Sequence, residues 1–550
     1  MTDQVEIATV LPKELRLGVP PKMPQARSYL FRQQSTLASF SSGQTIQINI
    51  PRLQRSYLRK DSYLRFRVQG SFTQAAKTDS LVLDTSGAFG FFEKLEVFDY
   101  LGSTVLESIS GIPQLTALLL DLGLKEIVES RNGNASMGLG LDYSYSGNKP
   151  LAAGSTAAPS VLQASSITNS GSLFPPSSGD RLVKGVDINN TVITAAATYK
   201  FCREFAIPLP SFLGLLSEKM IPLHNGFTIV LTVAGKRTPV FVSQFQDLSL
   251  SASVAATAVL SGDRAVPSTA DFTDDKISWS IDDVYMNCQI LELGPVAESM
   301  IMSSSQGSPL VVHTKSMRNY VSNINTAVPE FTLNMNLNVA SLTNVLWIMR
   351  SSDQIDKFLY ASCGNRTRNF LQRWQFQYGS TTLPQSNGIQ AMGSSLPAVM
   401  GTIADPERYT FLSAGGQEAV QELLKCRPLS LTSNRIILSN FISDSKFNQN
   451  LALNQAGLTA IPALNQLGLL PSYNSFFNLG RFAAGLNLQL ANGKDGQIIS
   501  GLNTNGMNTS IRGTFHHLYT AYMDKVRVDA WAEYDAFINI SPGIATTVSF

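Results

Sequence analysis

Apolar and polar residues alternate with a period of two through much of the chain, and that alternation marks strands with one buried face. Ile46, Ile48 and Ile50 alternate with Thr45, Gln47 and Asn49, and Leu64, Phe66 and Val68 alternate with Arg65, Arg67 and Gln69. The same period returns at Phe227, Ile229, Leu231 and Val233, at Phe331, Leu333, Met335 and Leu337, at Leu486, Leu488 and Leu490, and at Val526, Val528 and Ala530. Helical spacing is sparse. IPQLTALLLDLGL, from Ile112, has Pro113 where a first turn tolerates it and leucines for an apolar face. In QEAVQELLK, Val420, Leu423 and Leu424 share a face. Long tracts rich in Gly, Ser, Ala, Asn and Pro, roughly Asn132 to Ala197 and Ser386 to Ser475, read as elaborated loops. The expected fold is all-β with long insertions and few short helices.

The chain also repeats itself. GSTVL at Gly102 to Leu106 returns as GSTTL at Gly379 to Leu383, each after a similar strand, FEKLEVFDYLGSTVL and FLQRWQFQYGSTTL. DKISWSIDDVYMNCQILELG, from Asp275, lies without gaps on DKVRVDAWAEYDAFINISPG, from Asp524, so that Lys276 meets Lys525, Tyr285 meets Tyr534 and Gly294 meets Gly543. Two matched blocks in the same order point to duplication of a whole domain. The expected parts are an N-terminal arm over 1–27, a first β-sandwich over 28–294 and a second over 295–550. Many strands joined by long end loops suit jelly-roll topology.

Composition fits two large units. The 550 residues exceed one small domain, and only 15% are charged against roughly 25% in ordinary soluble proteins, so uncharged polar residues coat much of the surface. A formal charge of +2 excludes condensation of nucleic acid by bulk electrostatics. Cys202, Cys288, Cys363 and Cys426 are scattered without a C-x-x-C pair, which signals buried free thiols. The N-terminal stretch has charges where a secretory leader needs an apolar core, and no apolar run reaches the roughly 20 residues of a membrane span. Folding in a reducing compartment is expected.

Several stretches carry a family likeness. FCREFAIPLPSFLGLLSEKMIPLHNGFTIVLTV has an I-P-L-P segment at Ile207 to Pro210, then a proline-leucine turn at Ile221 to Leu223 leading into a late strand. With ISWSIDDVYMNCQIL as a closing strand, SLTNVLWIMR as an early strand of the second half and FEKLEVFDYLGSTVLESISG before a helix, the chain resembles the double jelly-roll major capsid proteins of double-stranded DNA viruses, including those of virophages, polinton-like viruses and large eukaryotic DNA viruses. That family's usual apolar-tyrosine-acid run after the proline-leucine turn is replaced by His224, Asn225 and Gly226. The resemblance implies two tandem jelly rolls per chain and a structural, non-enzymatic function. It also implies a homotrimer whose six rolls form a pseudo-hexameric capsomer, tiling an icosahedral shell around the genome. Implied partners are neighbouring capsomers and penton and minor capsid proteins, and the implied place is the virion, after synthesis in the host cytoplasm or nucleus. Two similar but unequal rolls give each chain two different sides, which independently favours a closed head-to-tail ring.

Local chemistry adds little to this. Arg52, Arg55, Arg59, Lys60, Arg65 and Arg67 cluster against a single Asp61. The cluster reads either as a solvated face or as an inner-face or inter-subunit contact, to phosphate of genome DNA, to an internal membrane's headgroups or to a neighbour's acids. The arm, with four prolines between Val10 and Ser28, is extended, and is either simply disordered or clasps neighbours. No catalytic, cofactor or metal site is expected. AGKRT at Ala234 has Arg237 where a P-loop needs a hydroxyl, and MGLGLDY lacks the third glycine of a dinucleotide loop. His224, His313, His516 and His517 fall in no metal-binding spacing. Sequons at Asn134, Asn189, Asn365 and Asn508 carry little weight without a secretion signal. The alternative is a two-domain sandwich that binds or cleaves carbohydrate, although Asp282, Asp283, Asp529 and Glu533 sit on closing strands and not on converging loops.

Overall fold

The computed structural model describes residues 26–73, 79–84, 86–122, 136–138, 198–212, 214–217, 220–244, 276–304, 309–324, 328–355, 362–364, 366, 368–369, 371–385, 387–391, 417–426, 482–489, 501–515, 525–541 and 546–550. The arm up to residue 25, most of both loop-rich tracts, His516, His517, Asn134, Asn189 and Asn365 lie outside the described residues.

Sixteen of the strands among the described residues build the main sheets of the architecture. In the first half they are β1 (Ala26–Gln34), β2 (Thr45–Ile50), β3 (Tyr63–Thr73), β4 (Phe92–Asp99), β5 (Val105–Ser110), β6 (Thr198–Pro208), β7 (Phe227–Val233) and β8 (Ile277–Leu293). They pair as two antiparallel sheets, β1-β8-β3-β6 and β2-β7-β4-β5. In the second half they are β9 (Leu310–Ile324), β10 (Glu330–Asn334), β11 (Leu342–Ser351), β12 (Leu371–Tyr378), β13 (Thr381–Leu383), β14 (Ala484–Asn487), β15 (Thr509–Phe515) and β16 (Val526–Ile540). These pair as β9-β16-β11-β14 and β10-β15-β12-β13. Each strand of the second half thus takes the place of the strand eight before it, and the order in both halves is the jelly roll. Helices are few: α1 (Ile112–Leu122) after β5, α2 (Pro295–Ser304) between the halves, and α3 (Gln417–Lys425). β1 begins two residues before the start expected for the first sandwich.

Alternation explains the cores. Ile46, Ile48 and Ile50 of β2 and Leu64, Phe66 and Val68 of β3 turn inward, while Thr45, Gln47 and Asn49 stay exposed. Phe66 meets Phe92 edge to face at 5.0 Å. The second core centres on Trp347 and Trp374, edge to face at 5.4 Å, with Phe331 and Phe515 beside them. One expected strand is shorter than its alternation. β10 stops at Asn334 because Asn336 adopts φ +45°, yet Met335 and Leu337 stay buried, their N–H groups donating to the Thr509 carbonyl and hydroxyl.

The two GST turns occupy corresponding hairpins, β4–β5 and β12–β13, but close differently. Gly379, φ +54°, is the first of two loop residues between the paired Tyr378 and Thr381, the position where a tight hairpin favours glycine. Gly102, φ +71°, is the third of four loop residues, and the Asp99 carboxylate organises them by accepting the N–H groups of Ser103 at 2.8 Å and Thr104 at 3.1 Å. Burial raises the Asp99 pKa, but hydrogen bonds from Thr104, Ser103 and Gly102 outweigh it and hold the carboxyl below the usual range.

Candidate assembly site: the seam between the rolls and the free sheet face

The second roll's β9-β16-β11-β14 sheet is covered on both faces. Its inner face (Val345, Trp347, Met349, Val528, Ala530, Ala532) belongs to the second core, whereas Met317, Leu346, Ile348 and Trp531 on its outer face join the first roll's core. β16 is accordingly buried at nearly every position, as strands sandwiched on both sides are. The indole Nε1 of Trp531 donates to the Ser110 carbonyl at the end of β5 at 3.2 Å, beside Gly111.

Charges are buried in this seam. Arg350 on β11 pairs with Asp529 on β16 at 2.8 Å, both side chains 1% exposed, and Arg527 reaches the same carboxylate at 3.1 Å. Arg350 also donates to the Ser362 carbonyl at 2.9 Å. From the first roll, Glu93 on β4 faces this group. Burial pushes its pKa up, attraction to Arg350 and Arg527 opposes that, and repulsion from Asp529 adds to it. Further along β16, Glu533 accepts from Thr343 and Asn344, and Asp535 pairs with His313 at 3.1 Å. Asp84 of the first roll accepts the Cys363 N–H at 2.7 Å and the Gly364 N–H at 3.3 Å. The Ser362 hydroxyl and Cys363 thiol reach back to carbonyls of Arg237 and Thr238, so the AGKRT turn holds the second roll.

His224 and Asn225 form a second clamp. His224 pairs with Glu298 of α2 at 2.5 Å, and Tyr57 donates to the same carboxylate at 3.2 Å. Asn225 donates to the Ser541 carbonyl at 2.9 Å and to Thr546 at 3.3 Å, beyond β16. His224 and Asn225 therefore join three parts of the chain.

Among the described residues, nothing covers the outer face of the first roll's β1-β8-β3-β6 sheet in the same way. A bulge at Asp283, φ +50°, turns two successive acids of β8 to its outer side. Asp282 takes a bidentate pair from Arg67 at 2.8 and 2.9 Å, and Arg65 bridges Asp283 at 2.7 Å and Glu204 on β6. Arg32 and Arg65 lie over the Tyr285 ring at 4.2 and 5.0 Å. Two of the six cations of the basic cluster, Arg65 and Arg67, are thus neutralised by acids distant in sequence. Arg59 pairs with Asp61 at 2.6 Å, and Arg52 lies over Tyr100 at 4.6 Å and donates to the Asn225 carbonyl at 3.1 Å. Arg55 and Lys60 are exposed, with no carboxylate partner among the described residues.

The sequence did not single out Asp84, Glu93, Arg350 or Trp531. One signal was available: Asp529, Glu533 and Asp535 share a strand face with Trp531, a mixture that an ordinary solvated face does not carry. Among the described residues, no group of three or more His, Cys, Asp or Glu side chains converges on a metal position, and no helix is long and apolar enough to cross a membrane. Cys288, Cys363 and Cys426 are buried free thiols, whereas Cys202 is exposed. Burial raises the Cys288 pKa to about 12 and drives those of Cys363 and Cys426 well up.

No sequence-family model matches the chain, and no curated protein does. Solved structures do. The mavirus major capsid protein is similar with a TM-score of 0.51 at 12% identity, over 99% of this chain and 93% of that one. A chain of the Sputnik virophage structure gives a TM-score of 0.51 at 12% identity, over 98% of this chain and 92% of that one. Likeness over the full length of both chains, together with the strand order, defines the fold as a double jelly roll.

Proposed function

We propose that this chain is a major capsid protein that closes as a homotrimer, its six rolls making a pseudo-hexameric capsomer that tiles an icosahedral shell around double-stranded DNA. The observation that carries this reading is the inequality of the two outer sheet faces. One is seated on the first roll of the same chain; its counterpart on the first roll is uncovered among the described residues. A contact of that kind is head-to-tail, and repeating it by rotation closes a ring. The similarity to a virophage capsid protein supports the same role.

The working parts are the arm 1–27, the first roll 28–294 and the second roll 295–550. Arg55 and Lys60, and Arg52 beside them, are the cations of the basic cluster left for phosphate or for a neighbour's acids. The location is the virion, with penton and minor capsid proteins as further partners. Light scattering on the purified protein is expected to report about three times 59.7 kDa, or assemblies of that unit, across dilution. Interfaces on the order of 2,000 Å² would hold such a ring against dilution. A stable folded monomer at micromolar concentration overturns the reading.

A further inference from the structure

The two sheets that carry the GST hairpins can be compared row by row. In the first roll, Lys94, Thr232 and Thr45 lie opposite one another across β4, β7 and β2, and the neighbouring outward row is Glu96, Val230 and Gln47. Counted from the hairpin, the same rows of the second roll are Arg373, Thr514 and Glu330, then Gln375, Arg512 and Thr332. Lys94 and Glu96 neutralise each other at 2.7 Å. In the second roll glutamine stands in place of that acid and arginine in place of Val230, so Arg373 and Arg512 occupy diagonal positions on adjacent strands. Neither Arg373 nor Arg512 has a carboxylate partner among the described residues. The rows floor an open cavity of about 700 Å³, bounded at one end by Gln385 and Asn387.

We infer that this groove binds an anionic saccharide, a sugar carrying sulfate or carboxylate groups. Two guanidinium forks match an oxyanion. The amides of Gln375, Gln385 and Asn387, the hydroxyls of Thr332 and Thr514 and the Glu330 carboxylate supply donors and acceptors for ring hydroxyls. The volume lies within the usual range for small-ligand sites. A nucleic-acid strand fits less well, because it presents a continuous row of phosphates to only two cations, with Glu330 opposing them. The site stands independently of the shell reading.

The test is calorimetric titration of the full chain with a sulfated hexasaccharide, its desulfated counterpart and a DNA oligonucleotide of matched charge. Binding of the sulfated sugar alone is expected. Arg512→Val and Gln375→Glu, which copy the first roll, are each expected to weaken it by on the order of tenfold or more, the worth of one charge-assisted hydrogen bond. Lys94→Gln on the first roll is expected to leave it unchanged. The inference is overturned by an absence of binding, by equal binding of the desulfated sugar, by indifference to both groove substitutions, or by equally tight DNA binding through the same arginines.

Discussion

Counted from the first residue of each closing strand, the outer faces of the two rolls differ position by position. Where the second roll sets Leu346 opposite Trp531 and Ile348 opposite Asp529, the first sets Arg67 opposite Asp282 and Gln69 opposite Ser280. Where the second sets Arg350 opposite Arg527, the first sets Ser71 opposite Ser278, their hydroxyls 2.8 Å apart. One topology therefore serves two surfaces. The second is an apolar face around a sealed ion pair and makes a permanent seam; the first is a layer of arginine–acid pairs that tolerates water. A face of the first kind can fold exposed and be covered later, whereas the second needs its cover within the same chain.

The largest expected effect separates the two ion pairs. Asp529→Ala leaves Arg350 buried without the carboxylate it pairs with, and is expected to cost about 3–5 kcal/mol, read as a lowered denaturant midpoint. Asp282→Ala is expected to cost clearly less, because the Arg67 side chain it leaves behind is 38% exposed and within reach of water. Equal losses at the two sites would erase the distinction between seam and free face. A smaller loss is expected for Trp531→Phe, which keeps most of the apolar packing but leaves the partly buried Ser110 carbonyl without its donor, about 1 kcal/mol. A variant as stable as wild type would show that the indole bond does not hold the seam.

Much of this was legible in the sequence, and the rest was hidden for definite reasons. Period-two alternation identified β2, β3, β7 and β16 because one face of each packs inward, and the matched blocks anticipated that Ile277 and Val526 open corresponding strands. What alternation cannot report is the fate of the other face. Arg65 and Asp529 are both charged residues on outward positions, yet one meets solvent and the other is sealed by a roll far away in sequence. The partners of Arg65 and Arg67 were hidden for the same reason: Asp282, Asp283 and Glu204 lie more than a hundred residues from the arginines they neutralise. The hairpin repeat showed where the turns fall but not their lengths, since Asp99 organises a four-residue loop for which the second copy has no equivalent acid.

The turns give a weaker contrast. Gly102→Ala and Gly379→Ala both force a side chain into a left-handed conformation, and each is expected to cost about 1 kcal/mol. Gly102 has open space around it, and Gly379 has only the Met507 sulfur at van der Waals distance, so strain alone decides. A much larger loss at either would show that the turn is packed against something more than its own hairpin.

The smallest effects have opposite signs and lie at the two ends of β4. Glu93 sits in the seam with its pKa raised by burial, so the folded state holds its proton more tightly than the unfolded chain does. Stability from this group is then greatest below the unfolded value, near 4.3, and falls as pH rises through the folded pKa. Glu93→Gln is therefore expected to melt slightly above wild type at pH 7 and to lose that advantage on acidification below about pH 4. Asp99 behaves oppositely, because its folded pKa lies below the unfolded value of about 3.9. It contributes stability above that value and loses it as pH falls through the folded pKa, so Asp99→Asn is expected to melt below wild type at pH 7 and to converge with it in acid. Melting curves of both variants between pH 3 and pH 7 check the pair. If Glu93→Gln instead lowered the neutral melting point, attraction to Arg350 and Arg527 would outweigh burial, and the seam would be held by its charges more than by the apolar residues around them.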